Sequence, residues 1–224
     1  MTEALLETIE IETAPEPRAA VIWLHGLGAD GHDFVPIVKE MDLSGLPPIR
    51  FVFPHAPMQR VTINAGAVMR AWYDVLGLDG VRREDEKGVR LSQTRVEALI
   101  DREKARGITA DRLLLAGFSQ GGAIALQTGL RHPERLAGII ALSTYLPLPA
   151  VLKAEASEAS RRTPIFMAHG VADPLIPLSR AQASRDALLS LGYRVEWHEY
   201  PMPHSVCEEE IADIAAWLRR VLAG

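Results

Sequence analysis

The chain of 224 residues has one cysteine, Cys207. No intrachain disulfide can form, and a reducing compartment suits such a chain. Positive charge is not in excess: 24 Lys and Arg stand against 29 Asp and Glu, for a net charge of −5. That balance removes the electrostatic footprint of a nucleic-acid or anionic-lipid binder. No apolar run approaches the ~18 residues of a membrane span. Residues 1–12 hold Glu3, Glu7, Glu10 and Glu12 but no Lys or Arg. They lack the basic and apolar regions of a secretory signal. Residue 2 is Thr, which removes a myristoylation glycine. Internal repeats and low-complexity linkers are missing too. These absences lead to the expectation of a single domain spanning 1–224, soluble and cytoplasmic, with no nucleic-acid partner and no membrane span. The length agrees, because α/β folds commonly run to about 200–250 residues as one unit. The sequence leaves a homodimer open.

What is present is alternation. Short apolar runs over 18–25, 49–53, 112–117, 136–142, 164–169 and 194–200 predict strands, and 33–41, 89–106, 123–131, 182–191 and 208–222 predict helices. In 89–106, Val96, Leu99 and Ile100 share a face, and Gly107 marks a stop. In 208–222, Ile211, Ile214, Ala215, Leu218 and Leu222 recur at helical spacing. Apolar strands alternating with helices predict an α/β fold: a mostly parallel sheet with helices on both faces. Ligands of such sheets lie beyond the carboxyl ends of the strands. His25, Ser119, His169 and Asp173 each follow a strand at that edge. Two stretches, 54–87 and 144–163, break the alternation and read as long loops, the kind that serve as lids or binding walls. The charged part of the first, 80–88, reads as a solvated loop.

The strongest chemical signal is Gly117-Phe118-Ser119-Gln120-Gly121-Gly122 between a predicted strand and a predicted helix. A Gly-x-Ser-x-Gly match arises by chance in roughly one in ten chains of this size, so the context decides. A sharp strand-turn-helix lifts the Ser oxygen above the sheet, and the flanking glycines let backbones pack closely. A serine hydroxyl needs a base, and the base needs an orienting acid. In elbow-based sites the chain order is Ser, then Asp or Glu, then His. Asp173 follows the strand over 164–169, and His204 follows the strand ending near Tyr200, so order and edge both fit. An oxyanion needs two N–H donors. The Gln120 amide opens a helix, where the dipole also favours negative charge. The loop His25-Gly26-Leu27-Gly28 offers the Leu27 amide, its glycines permitting convergence on a ligand.

The plainer readings are a structural turn at Ser119, a turn-forming Asp before Pro174, and a helix-cap neighbour at His204. His25, Asp30, His32 and Asp33 could instead ligate a metal, but their spacing fits no zinc signature. No metal is assigned. His55, His132 and His198 read as structural or surface residues.

With these residues in hand, the chain resembles the acyl-protein thioesterases and small carboxylesterases. The resemblance runs through LHGLGADGHDF (24–34), PHAP (54–57), VTINAGAVMRAWYD (61–74), GFSQGGAIAL (117–126), LAGIIALSTYLP (136–147), HGVADPLIP (169–177) and YPMPHS (200–205). It implies an α/β-hydrolase fold without a large cap domain, no cofactor, and cleavage of short- to medium-chain esters, lysophospholipids or S-acylated protein cysteines. It places Ser119, Asp173 and His204 in the triad and Leu27 and Gln120 in the oxyanion hole. It draws the acyl site from Leu27, Trp72, Leu76, Tyr145, Leu146 and Ile176. Pro203 departs from the glycine that many relatives carry before the histidine; its fixed φ stiffens the loop without touching the triad. The expectation is a serine hydrolase of carboxylic esters or thioesters, acting on a small-molecule or acylated-protein substrate. The alternative from another class is a non-catalytic ligand-binding scaffold of the same fold. A serine peptidase or acyltransferase would share the motifs.

Overall fold

The computed structural model describes residues 5–76 and 83–223. In chain order the elements are β1 Thr8–Glu12, β2 Ala19–Leu24, α1 Val35–Glu40, β3 Ile49–Pro54, β4 Met58–Val61, β5 Ala67–Arg70, β6 Val75–Leu76, β7 Arg83–Glu84, α2 Glu86–Ala105, β8 Leu113–Phe118, α3 Gln120–Gly129, β9 Gly138–Leu142, α4 Pro149–Glu155, β10 Ile165–Gly170, α5 Leu178–Ser190, β11 Val195–Tyr200 and α6 Glu208–Leu222. Seven strands form one sheet in the order β1-β3-β2-β8-β9-β10-β11. In this sheet, among the described residues, only β1 runs antiparallel to its neighbour; the other pairings are parallel.

The continuous apolar runs follow from burial on both faces. Along β2, Ala20, Ile22 and Leu24 point into one core while Ala19, Val21 and Trp23 point into the other, and all six are buried. The first core is closed by α2, α3, α4 and α5 through residues such as Val96, Leu126, Leu152 and Leu188. The second is closed by α1 and α6 through Val38, Ile214 and Leu218. Each fully buried aliphatic side chain contributes about 1.5–3 kcal/mol. This is the mostly parallel, doubly covered sheet of the α/β-hydrolase fold. No helix among the described residues is long and apolar enough to cross a membrane.

Four features differ from the expectations. The antiparallel edge strand β1 was not expected; its TIEIE pattern places Ile9 and Ile11 against the second core. The stretch 54–87 is not simply a loop. It holds the antiparallel pairs β4–β5 and β6–β7, and α2 already begins at Glu86. The supposed solvated loop over 80–88 lies partly outside the described residues and ends inside that helix. The stretch 144–163 likewise contains α4 and a short 3-10 turn, Ala159–Arg162. Short elements of mixed polarity carry too little periodicity to stand out from loops.

Chain order explains where a site can form. From β2 the chain moves outward to β3 and then returns to β8 on β2's other side. That reversal is a topological switch point, where the loops leaving neighbouring strands part and open a crevice. The paired ends Leu24 and Gly117 lie there, immediately before the Leu27 loop and Ser119.

Candidate active site

Ser119 occupies the turn between β8 and α3 with φ 54° and ψ −119°. A non-glycine residue held there stores about 1–3 kcal/mol of strain. The surrounding packing over-determines it. A Cβ at Gly121 would lie 2.3 Å from the Leu24 carbonyl oxygen, and one at Gly117 would lie 2.4 Å from the Gly121 carbonyl. One at Gly122 would meet Thr144 at 2.8 Å. The Ser119 amide donates to the Leu142 carbonyl at 2.9 Å, and Thr144 Oγ1 donates to the Ser119 carbonyl at 2.6 Å.

The loops after β10 and β11 are stitched together. The Val171 amide donates to Tyr200 and the Ala172 amide to Met202. A Cβ at Gly170 would fall 2.4 Å from the Met202 and Pro203 carbonyl oxygens, so only glycine lets the loops approach this closely. The result is a contact of 2.6 Å between His204 Nδ1 and Asp173 Oδ2. The other Asp173 oxygen accepts the amides of Leu175 (2.8 Å) and Ile176 (2.9 Å). Burial alone would raise the Asp173 pKa. The hydrogen bonds from Ile176, His204 and Leu175 outweigh it and hold the carboxyl below its ordinary range. An ionised Asp173 makes Nδ1 the donor and leaves His204 Nε2 free for chemistry. His169, fully buried, donates from Nε2 to the Ile176 carbonyl at 2.8 Å and so braces the Asp173 loop.

Ser119 and His204 line one cavity of about 360 Å³, together with Leu27, Gln120, Tyr145 and Ile176. The Phe118 ring lies 4.7 Å from that of His204. Among the described residues no hydrogen bond links Ser119 Oγ to His204, and such bonds commonly tighten only when substrate is bound. The Leu27 and Gln120 amides have no acceptor among the described hydrogen bonds. Gln120 opens α3, whose first N–H groups have no helical partner. The Gln120 side chain has a second task the sequence did not signal. Its Oε1 accepts the Trp72 amide at 2.7 Å, and its Nε2 donates to the Tyr73 carbonyl at 2.8 Å.

The acyl-site expectations divide. Leu27, Tyr145 and Ile176 line the cavity, whereas Trp72, Leu76 and Leu146 are not part of its wall. Trp72 is fully buried, with Nε1 donating to the His25 carbonyl at 2.9 Å. Leu146 is buried and hydrogen-bonds to Ser184 through its amide, and Leu76 is exposed. Ile63, Tyr73 and Val75 stand on the wall instead. All three lie within or beside the motif over 61–74, but only the hairpins decide which neighbours turn inward. His25 accepts the Ala56 amide on Nε2 (3.0 Å), so Nδ1 carries the proton and donates to the Gly26 carbonyl (2.7 Å). Burial lowers its pKa to about 4. Both ring nitrogens are engaged, so His25 serves the loop and not a metal.

The sequence profile of the Phospholipase/Carboxylesterase family matches residues 6–222. The chain belongs to the phospholipase/carboxylesterase family. Family relatives include the acyl-protein thioesterase 1 of Neurospora crassa, 43% identical over 209 residues, covering 89% of this chain and 85% of that protein. The acyl-protein thioesterase 1 of Gibberella zeae is 36% identical over 231 residues, covering 99% and 98%. Among solved structures, Arabidopsis thaliana SOBER1 aligns with TM-score 0.86 at 34% identity, covering 92% of this chain and 99% of that one. Zea mays acyl-protein thioesterase 2 aligns at 0.84 with 28% identity, covering 96% and 99%. This phospholipase/carboxylesterase is therefore a serine hydrolase of the ester and thioester class, and the scaffold alternative is not favoured.

Proposed function

We propose that Ser119 is the nucleophile, His204 the general base and Asp173 its orienting acid, with the Leu27 and Gln120 amides as oxyanion donors. One juxtaposition carries this reading: the His204–Asp173 contact of 2.6 Å at the rim of the cavity that the strained Ser119 faces. Ser119 Oγ attacks the acyl carbonyl carbon while His204 Nε2 takes its proton. The resulting oxyanion is held by the two amides. Collapse breaks the bond to the alcohol or thiol, which leaves with the proton from His204, and the acyl group stays on Ser119. A water molecule, deprotonated by His204, then releases the carboxylic acid and restores the enzyme.

The apolar wall made by Leu27, Ile63, Val75 and Ile176 suits an alkyl chain better than a charged group. Short- to medium-chain acyl esters, lysophospholipids and S-acylated protein cysteines all present such a chain. The acyl-protein thioesterase relatives support the thioester side of that range. The whole chain acts as one catalytic unit, in the cytoplasm, where a lone Cys207 stays reduced. Nothing in the mechanism needs a second copy.

Ser119→Ala tests the reading. It should abolish covalent labelling by a fluorophosphonate and lower turnover of a p-nitrophenyl ester by several orders of magnitude. The circular dichroism spectrum should not change. Near-normal turnover in the folded variant would remove Ser119 from the role.

A further inference from the structure

The two excursions that wall the cavity meet through a pair of hydroxyls. Tyr73 Oη and Tyr145 Oη lie 2.7 Å apart, and both rings line the cavity. Tyr73 is 1% exposed and Tyr145 8%, so neither ring can swing out to solvent. Each is tied to the nucleophile turn. The Tyr73 carbonyl accepts Gln120 Nε2 at 2.8 Å, and Tyr145 follows Thr144, whose Oγ1 donates to the Ser119 carbonyl at 2.6 Å. The Arg180 guanidinium lies over the Tyr145 ring, 3.5 Å from its centre. Both tyrosines thus stand on the wall of the cavity that Ser119 lines, and their rings are joined through the hydroxyls.

We infer that the Tyr73–Tyr145 pair is a specificity-determining clasp that admits straight acyl chains and excludes those branched next to the carbonyl. The inference rests on Ser119 as acyl acceptor. A straight chain presents only methylenes beside the carbonyl and passes the clasp edge-on. A quaternary carbon there must push the two rings apart and break their hydrogen bond. The clasp therefore acts on the shape of the acyl group, whatever the leaving group.

The test compares p-nitrophenyl butanoate with p-nitrophenyl 2,2-dimethylpropanoate, which share a leaving group. The ratio of kcat/KM, branched over straight, is measured in wild type, Tyr73→Phe, Tyr145→Phe and the double variant. Intrinsic ester reactivity cancels when variants are compared with wild type. Each single variant should raise the ratio by about fivefold or more, the worth of one hydrogen bond. The double variant should raise the ratio by less than the product of the singles, because the two substitutions share one bond. A purely structural role would scale both substrates alike. A ratio that does not move, or factors that multiply, overturns the clasp. Fluorophosphonate labelling separates this from failure of the catalytic reading. Labelled, active variants with a fixed ratio reject the clasp alone, whereas an unlabelled, inactive wild type rejects Ser119 itself.

Discussion

Asp173 shows how one residue's surroundings set its work. Two backbone amides occupy one carboxylate oxygen and His204 the other, so the group stays ionised despite burial. Because its folded-state pKa is depressed, its contribution to stability is present above the ordinary carboxylate range. That contribution is lost as pH falls through the depressed folded-state value. Asp173→Asn should keep the Leu175 and Ile176 bonds, since the amide oxygen still accepts them. Its NH2 would then face His204 Nδ1 and favour the tautomer with the proton on Nε2. In a comparable triad this change costs about 10⁴ in kcat, and a loss of that order is expected here from steady-state kinetics. A nearly silent Asp173→Asn beside a dead His204→Gln would mean another carboxylate orients the base. His25 makes the contrast: burial keeps it neutral and both its nitrogens are used, so this histidine, beside the proposed oxyanion donor Leu27, is not placed to act as a base.

At the scale of elements, the site depends on how closely α3 sits on the end of β2. The contact is backbone against backbone, with the Leu24 and His25 carbonyls 2.3 and 2.5 Å from where a Gly121 Cβ would be. Neither side can yield as a flexible side chain would. Gly121→Ala should therefore cost about 3 kcal/mol or more, at the upper end of overpacking, and turnover should fall with the displaced Gln120 amide. Urea midpoints and kcat would report both, and a variant of wild-type stability would contradict the packing. The last helix offers a second element-scale test. Glu210 lies fully buried in the first turn of α6. Burial pushes its pKa up to about 8, the Cys207 amide opposing and Asp213 adding to the rise. An acid raised in the folded state stabilises below its unfolded pKa and loses that contribution as pH climbs to the folded value. From about 4.5 to about 8, wild-type stability should thus fall relative to Glu210→Gln. Denaturant midpoints for both at pH 5 and pH 8 check this; parallel pH dependences would show that Glu210 does not titrate in the window.

For the whole molecule, the switch point between β2 and β8 determines where the cavity lies, and its volume limits what enters. About 360 Å³ corresponds to a dozen water-sized heavy atoms at roughly 30 Å³ each. Each methylene buried adds about 0.8 kcal/mol, close to fourfold in kcat/KM. Along a series of straight-chain p-nitrophenyl esters, kcat/KM should climb to an acyl length of about eight to ten carbons and then level off. A maximum at acetate would mean that the apolar wall does not receive the acyl chain.

The strands and helices of the two cores were readable because burial on both faces imposes continuous apolar runs on strands and a 3.6-residue repeat on helices. Ser119, Asp173 and His204 stood out because each follows a strand at one edge, in one order, inside short motifs. Other features depended on distant partners. β1 is a strand because Ile9 and Ile11 find β3 and the second core. The hairpins within 54–87 carry too few residues to announce a period. Trp72 and Tyr73 are sequence neighbours of similar chemistry, yet Gln120, some fifty positions away, holds the backbone of both. Trp72 is turned into the interior, and Tyr73 toward Tyr145. Local pattern determined which segments are buried and which residue types could react. Which side chain faces the cavity was decided by contacts between segments far apart in the chain, because adjacent side chains point apart and only tertiary packing selects between them.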